Sequence, residues 1–455
     1  MRIKEIIRGD GLRSRSIRAS GLTFVGFGAQ NILRLGGNLI LTRILFPEAF
    51  GIMALVQVFI TGLEMFSDIG LNTSIIQNKR GHNPAFLNTA WTLQILRGFL
   101  LWGLVLLAAP WIATFYEAPI LETILPVAGL TVVLAGFNST KLATANKELL
   151  IGRVTVIFVA SQLLALLCMV VLALVLQSVW ALAIGGLASP ICKMILSHRW
   201  LPGVSNRLHI ERAALGEMFG FGKYIFLATM AGFMVSQADR AILGRFVSLE
   251  ELALYQIAFF LATVPIVMQR QLAKKVLFPL YSKRPPSEGR ENRRNIGRAR
   301  LSIVGAILGL STILAFLGID IIVVLYDPRY EAAGPLLVLI ALSRLPAIVT
   351  GNYGLVLLAA GASGKFAILQ IAGAVLNTLL IFLGVLWYGP AGVAIAPLLT
   401  GAIMYPVISR TVYPYGAWMP LHDILSGAVA MAILGCAVWL NLPDLVEFFA
   451  QSRVQ

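Results

Sequence analysis

The chain has 455 residues, of which 58% are hydrophobic and only 13% are charged, and its mean hydropathy is +0.84. A water-soluble domain is excluded, because such domains hold about half apolar and about a quarter charged residues. The formal net charge of +15 does not indicate a nucleic-acid partner, since no recognition motif accompanies the basic residues.

Apolar segments long enough to cross a membrane recur along the whole chain. Each crossing needs about 20 mostly apolar residues, and about thirteen segments qualify. In chain order the predicted spans cover residues 20–45, 49–69, 86–110, 120–143, 154–176, 179–196, 218–243, 252–267, 301–325, 335–360, 366–387, 391–409 and 424–440. We therefore expect an all-α polytopic membrane protein.

Basic residues alternate between the connections that join these spans. The N-terminal segment and the connections after the second, fourth, sixth and eighth spans are rich in Lys and Arg, whereas 46–48 and 114–119 have none. This is the positive-inside pattern, so the N-terminus is predicted to be cytoplasmic, and the excess charge is expected to contact anionic lipids. The longest connection, 269–300, fits either an amphipathic helix on the membrane surface or a solvated tether.

One short segment occurs twice. Residues 41–51 align without gaps on 243–253, and both segments close one span with an Arg and turn through a Glu. Six predicted spans separate them, an even number, so the halves point the same way. We expect six-helix bundles at 1–200 and 217–412, a cytoplasmic linker at 201–216, and an extra helix and tail at 413–455. The alternative is that Arg and Glu recur at helix ends because they snorkel.

Three arginines, Arg34, Arg97 and Arg344, lie near the midpoints of predicted spans. A charge at this depth costs roughly 2.5 to 3.5 kcal/mol even on a lenient insertion scale, so these side chains must face protein or a wet cavity. Three deep cations outnumber the deep acids that would neutralise them. We therefore predict a cationic cavity that binds an anion, with structural pairing as the alternative.

Polar side chains at similar depth would add hydrogen-bonding capacity for a hydroxyl-rich cargo. These residues are Gln30, Asn31, Gln57, Asn138, Asn352 and Asn377.

Four further charged residues have two interpretations each. Glu64 and Asp68 share a helical face; either one binds a coupling proton or sodium ion, or Asp68 is interfacial and Glu64 pairs with a nearby cation. Asp239 and Arg240 are adjacent and point to different faces, so each needs a partner on another helix. Structural ion pairing is the favoured interpretation for them.

The four histidines and three cysteines lack the spacing of a catalytic triad, a metal site or a disulfide framework. We therefore expect no enzyme activity, no cofactor and no metal.

Five motifs follow one another in order: RILFPEAFG at 43–51, FSDIGL at 66–71, LNTA at 87–90, ADR at 238–240 and LGR at 243–245. Together they resemble the Wzx-like oligosaccharide flippases, the polysaccharide transporter branch of the MOP superfamily. The resemblance implies two helix bundles around a central cavity, a bacterial inner-membrane location and a polyprenyl-diphosphate-linked glycan as cargo. A polysaccharide polymerase and a chain-length regulator are the partners that it implies. Ala49 departs from the pattern, in which an acid often follows the Glu.

We therefore expect a flippase that serves O-antigen, capsule or exopolysaccharide synthesis. Three other functions would each require different sequence features. A cation-coupled multidrug exporter of the same architecture would use cavity acids for cationic drugs. A glycan polymerase or acyltransferase would show catalytic His or Arg clusters, and a scaffolding protein has no need of midplane arginines.

Overall fold

The computed structural model describes residues 12–67 and 70–452, and within these residues the regular structure is entirely helical. The chain divides into two compact units between Met230 and Ala231. The helices that begin in the first unit are α1 (Leu12–Ile44), α2 (Pro47–Phe66), α3 (Leu71–Gln77), α4 (Pro84–Phe115), α5 (Ile120–Gly136), α6 (Lys141–Lys147), α7 (Ile151–Leu176), α8 (Trp180–Gly186), α9 (Ala188–Arg199) and α10 (Arg212–Phe246). The helices of the second unit are α11 (Leu249–Ala262), α12 (Val264–Lys283), α13 (Arg290–Leu325), α14 (Ala333–Ser343), α15 (Leu345–Thr350), α16 (Gly354–Ala359), α17 (Ser363–Val412), α18 (Pro420–Leu440) and α19 (Leu442–Ser452).

Within the described residues, nine helical segments are long and apolar enough to cross a membrane, or ten if the bent pair α5 and α6 is one span. The polytopic all-α prediction is therefore confirmed, while the count of thirteen is not reproduced. One reason is that single helices carry more than one predicted span. The predicted spans 366–387 and 391–409 both lie in α17, which is interrupted at Tyr388 and Gly389.

The interruption in α17 depends on glycine. Gly389 has φ 52° and ψ −135°, a combination that side chains with a Cβ atom rarely adopt. Pro390 follows, and its ring cannot continue the hydrogen-bond ladder of the preceding helix. A Cβ atom on Gly384 would lie 2.6 Å from the Gly392 carbonyl oxygen, so the two flanking segments approach closely across the break.

In the first unit, α4 and α5 pack backbone to backbone. A Cβ atom on Gly136 would lie 2.7 Å from the carbonyl oxygen of Gln94, which leaves no room for a larger residue. The turn between these helices places Glu117 at φ 53°. Ile124 and Leu125 are fully buried in α5, so the first unit has its own apolar interior.

Residues 201–211 form no helix and run along the start of α4. The amides of Arg207, His209 and Glu211 donate to the side-chain oxygens of Asn88, Thr92 and Thr89, each at 3.0 Å. The predicted linker is therefore an ordered segment of the first unit. The predicted limits of the two bundles stay a prediction, as the units divide inside α10.

The two aligned segments, 41–51 and 243–253, each join two helices through a short turn. Arg43 lies in the last turn of α1, and Glu48 lies in the first turn of α2. Arg245 occupies the last turn of α10, and Glu251 forms a capping box with Ser248 at the start of α11. The helices thus end and begin at aligned positions, Ile44 with Phe246 and Pro47 with Leu249, whereas the capping box is present only at the start of α11.

Candidate functional site

Arg344 lies at a break in the most buried of the described candidate spans. The segment Ala333–Ala359 has 78% of its apolar window buried, and Arg344 separates α14 from α15. Pro346 in the first turn of α15 explains the break, because proline cannot donate to the preceding turn. The break leaves the guanidinium group of Arg344 inside a predominantly apolar unit.

Arg240 of α10 shares an aromatic partner with Arg344. The guanidinium carbon of Arg240 lies 4.1 Å from the centroid of the Phe259 ring, and that of Arg344 lies 5.3 Å from the same centroid. The two cations are thus within about 10 Å of each other, a distance over which buried charges are little screened. The face of an aromatic ring attracts a cation, so Phe259 positions both groups.

Both guanidinium groups keep an unused donor. The Nε atoms of Arg240 and Arg344 are buried and have no hydrogen-bond partner among the described residues. The Nη1 atom of Arg240 donates to the Ser236 carbonyl oxygen at 3.0 Å and to Gln237 Oε1 at 3.1 Å. A buried donor without a partner costs about 1 to 3 kcal/mol, and a bound anion would remove that cost.

A third arginine, Arg270 of α12, interacts electrostatically with Arg344. Its side chain is exposed. We call Arg240, Arg270 and Arg344 the arginine cluster.

Asp239 is the acid beside the cluster. Its Oδ2 atom accepts from the Tyr255 hydroxyl at 2.9 Å, and its Oδ1 atom accepts from the backbone amide of Arg240. One carboxylate beside three guanidinium groups leaves the site with a net positive charge. Such an arrangement suits a ligand with two negative charges, since arginine forks bind phosphate oxygens in pairs.

In the first unit, Arg97 is bound to the end of α2. Its Nε atom donates to Ser67 Oγ at 2.9 Å, and its Nη2 atom donates to the Glu64 carbonyl oxygen at 2.8 Å. These bonds satisfy groups that the end of a helix leaves without partners. Arg34 lies on the exposed face of α1. Both residues belong to the first unit and Arg344 to the second, so a single site built from all three stays a prediction.

The predicted polar ligands fall into two groups. Asn31 Nδ2 donates to the Phe27 carbonyl oxygen at 2.8 Å, and Gln57 Nε2 donates to Thr61 Oγ1 at 2.6 Å, so both are bonded within their own helices. Asn138 Oδ1 and Asn352 Nδ2 are buried and have no partner among the described residues. The last two therefore have unused hydrogen-bonding capacity, and their role in binding a cargo stays a prediction.

The two predicted acidic sites differ in what the structure describes. Asp68 lies outside the described residues. The Glu64 side chain is half-buried, and its charge acts on Lys193 of α9. A nearby cation is what the structural interpretation requires, and the ion-coupling role stays a prediction. For Asp239 and Arg240, the contacts with α11 are a tyrosine hydroxyl and a phenylalanine ring, and the ion-pair role stays a prediction too.

Arg270 and Phe259 were not predicted from the sequence to be part of a site. Arg270 counted as a loop charge because the predicted eighth span ends at Val267, whereas α12 continues to Lys283. The signal that could have shown this is the run from 264 to 278, which has no glycine and no proline after Pro265. Phe259 carries no such signal, because an aromatic residue in an apolar span is usually there for packing.

The sequence of this chain resembles a known protein family. A model of a family described as polysaccharide biosynthesis protein matches residues 40–333. The lipopolysaccharide biosynthesis protein WzxC of Escherichia coli strain K12 is 24% identical, over 97% of this chain and 89% of its own length.

Two solved structures show the same fold. An inward closed form of the lipid II flippase MurJ superposes with a TM-score of 0.69 at 15% identity, over 96% of this chain and 97% of that one. An inward-facing multidrug resistance MATE family transporter of the MOP superfamily superposes with a TM-score of 0.63 at 12% identity, over 88% and 95%. At these identities the likeness establishes the fold and leaves the cargo open.

Proposed function

Because the chain belongs to the polysaccharide biosynthesis protein family, we propose that it is a flippase for a polyprenyl-diphosphate-linked oligosaccharide. It would act in the inner membrane of a bacterium, with its N-terminus in the cytoplasm, during synthesis of O-antigen, capsule or exopolysaccharide. The similarity to a lipopolysaccharide biosynthesis protein over nearly the full chain supports this cargo. A polysaccharide polymerase and a chain-length regulator are its proposed partners.

The arginine cluster is the observation that carries the proposal. A diphosphate cannot enter hydrocarbon without a large desolvation cost, and it needs partners that replace its hydration. The buried Nε atoms of Arg240 and Arg344 are unused donors, and Arg270 beside them is accessible. The cluster thus offers a diphosphate one exposed cation and two guanidinium groups whose Nε atoms are buried and unused.

The chemistry of the cluster also supports the proposal over its main rival, the multidrug exporter. A multidrug exporter of this fold would handle cationic drugs with acidic groups, but here one carboxylate, Asp239, lies beside three arginines. That carboxylate is occupied by the Tyr255 hydroxyl and the Arg240 amide. A cationic cargo would meet net repulsion at this site.

Transport in proteoliposomes tests the proposal. The purified protein is reconstituted with a short synthetic polyprenyl-diphosphate oligosaccharide, and the appearance of the glycan in the opposite leaflet is measured with a membrane-impermeant glycosidase. We expect Arg344→Gln and Arg240→Gln to slow transport at least about tenfold, because each removes one partner of a buried charged interaction. Arg344→Lys should retain part of the rate, since it keeps the charge and loses the fork.

Arg410→Gln is the matched control, because Arg410 is an exposed arginine of the same unit at the end of α17. Thermal unfolding of every variant separates a loss of transport from a loss of fold. Control-like rates for well-folded Arg344→Gln and Arg240→Gln would contradict the proposal. The proposal would also be contradicted if the wild-type protein exported a cationic dye and did not move the glycan to the opposite leaflet.

A further inference from the structure

An apolar groove runs between α13 and α18 in the second unit. Its volume is about 380 Å³, and it is lined by Leu301, Gly305 and Gly309 from α13 and by Leu425, Val429 and Ile433 from α18. Several of the lining residues are exposed. It is separate from the arginine cluster, which involves α10, α11, α12 and the junction of α14 and α15.

Two glycines of α13, Gly305 and Gly309, line the groove. Around the positions where they would carry a Cβ atom, no heavy atom lies within 4 Å apart from those of the adjacent residues and the nearby backbone of α13. A gap of this kind forfeits the dispersion contacts that its walls would otherwise make. Because the walls are apolar, an alkyl chain would restore those contacts and water would not.

A buried network links α13 to α18 at one end of the groove. Arg300 Nη2 contacts Asp423 Oδ1 at 2.5 Å, and Tyr353 donates its hydroxyl hydrogen to Asp423 Oδ2 at 2.6 Å. Arg300 precedes the lining residue Leu301, and Asp423 lies two residues before Leu425. Since both charged side chains are almost completely buried, the spacing between α13 and α18 is fixed there. The groove is therefore preformed, and filling it requires little rearrangement.

Two arginines lie on α13 beyond the end of the groove, on the same face of the helix. Arg294, Arg298, Leu301, Gly305 and Gly309 follow one another at intervals of three or four residues, so they lie on one face of the helix. Both arginines are exposed, and neither forms a salt bridge with another described residue. From Arg298 to Gly305 the rise along the helix is about 10 Å, comparable with the distance from a lipid phosphate to the upper part of its acyl chain.

We propose that this groove is a binding site for an anionic glycerophospholipid. One acyl chain lies between α13 and α18 over Gly305 and Gly309, and the headgroup phosphate contacts Arg298 and Arg294. The positive charges of Arg294 and Arg298 select an anionic headgroup. The bare backbone at Gly305 and Gly309 suits an unbranched acyl chain better than a methyl-branched polyprenyl chain. Bound in this way, the lipid holds α18 against α13 and stabilises the second unit without being the cargo.

Lipid-dependent thermal stability tests the site. The full-length protein in detergent is heated with added dioleoyl phosphatidylglycerol, with dioleoyl phosphatidylcholine, or with undecaprenyl phosphate at equal concentration. We expect phosphatidylglycerol to raise the Tm by at least about 3 °C, since a ligand that binds only the folded state stabilises it. The shift should disappear in Arg294→Gln/Arg298→Gln, which loses the headgroup contacts, and in Gly305→Leu/Gly309→Leu, which fills the groove.

Two control variants keep the site intact. Gly435→Leu places the same side chain on α18 at an exposed glycine with open space around it, and Arg410→Gln removes an exposed arginine elsewhere in the unit. Both should keep the full shift. Native mass spectrometry of the double arginine variant, which alters only surface side chains, should show fewer bound phosphatidylglycerol molecules than wild type even if the leucine variant unfolds early.

Three results would overturn the proposal. The first is an equal Tm shift with phosphatidylcholine, and the second is an unchanged shift in the arginine double variant. The third is a larger shift with undecaprenyl phosphate, which would assign the groove to the tail of a polyprenyl-linked molecule. None of these readouts involves transport, so failure here leaves the proposed flippase function standing.

Discussion

At the scale of single residues, two arginines predicted to share one role have different surroundings. The Nε atom of Arg344 is buried and unused, whereas the Nε and Nη2 atoms of Arg97 are bonded to Ser67 and to the Glu64 carbonyl oxygen. A donor without a partner is available for a ligand. A donor that already satisfies the end of a helix contributes first to stability.

We therefore expect Arg97→Gln to destabilise the protein, because it leaves the end of α2 without two charge-assisted hydrogen bonds. Each such bond contributes about 1.5 to 3 kcal/mol, so the Tm in detergent should fall by several degrees and the abundance in membranes should decrease. Arg153→Gln is the control, since Arg153 is an exposed arginine in the first turn of α7. A wild-type Tm for Arg97→Gln, combined with lost transport, would instead assign Arg97 to cargo binding.

The sequence allows Arg344 to be found, because a cation in the middle of an apolar run has no simple structural explanation. It does not allow its neighbours to be found. The sequence predicts an ion pair for Arg240, whereas its guanidinium group lies over the Phe259 ring. This contact depends on how α10 packs against α11, which the sequence alone does not reveal. Arg270 was missed because the hydropathy of α12 ends before its helix does.

At the scale of elements, the segment 201–211 shows how a motif can serve the fold. Asn88 and Thr89 of the LNTA motif accept the amides of Arg207 and Glu211. Arg80 adds contacts with both carboxylate oxygens of Glu211 at 2.7 Å, and it bonds to Glu217 as well. The hydrogen bonds from Asn78 and Arg80 lower the pKa of Glu217. These contacts fasten the beginning of α10 to the first unit.

Thr89→Val tests this attachment, because valine keeps the shape of threonine and removes the acceptor for the Glu211 amide. We expect faster hydrogen exchange at residues 207–211, since the amide loses its partner at a cost of about 1 to 3 kcal/mol. The rest of the fold should be unchanged. Thr114→Val is the control, as the Thr114 hydroxyl is exposed and bonds only within α4 among the described residues. Equal exchange in both variants would show that the segment is held by other contacts.

Element boundaries were harder to predict than element type. The break between the predicted spans at 366–387 and 391–409 falls where the structure interrupts α17, at Tyr388 and Gly389. The breaks around Arg344 and between α5 and α6 were not predicted, because the predicted spans 335–360 and 120–143 run across the short polar stretches at 343–344 and 138–141. Hydropathy measures burial in the membrane and is insensitive to a bend within it.

At the scale of the whole molecule, the orientation in the membrane stays a prediction from charge. The structure supports part of it within each unit. The salt bridge between Arg80 and Glu211 places the connection at 78–83 and the segment 201–211 at the same end of the first unit. In the second unit, Arg293 donates to the Trp418 carbonyl oxygen, so the beginnings of α13 and α18 share an end. Both of these ends carry the basic residues that the positive-inside rule assigns to the cytoplasm.

Cysteine accessibility in intact cells tests the orientation. In a background without Cys168, Cys192 and Cys436, single cysteines at Lys79, Arg207 and Arg293 should react with a membrane-impermeant maleimide only after the cells are permeabilised. Cysteines at Glu48, Pro119 and Asp327, which lie in the connections poor in Lys and Arg, should react without permeabilisation. Because the Arg80 to Glu211 contact joins two of the inner positions, Lys79 and Arg207 must behave alike whichever way the protein faces. Opposite labelling of those two would contradict the fold of the first unit, whereas labelling of all three from outside would reverse the orientation and with it the direction proposed for transport.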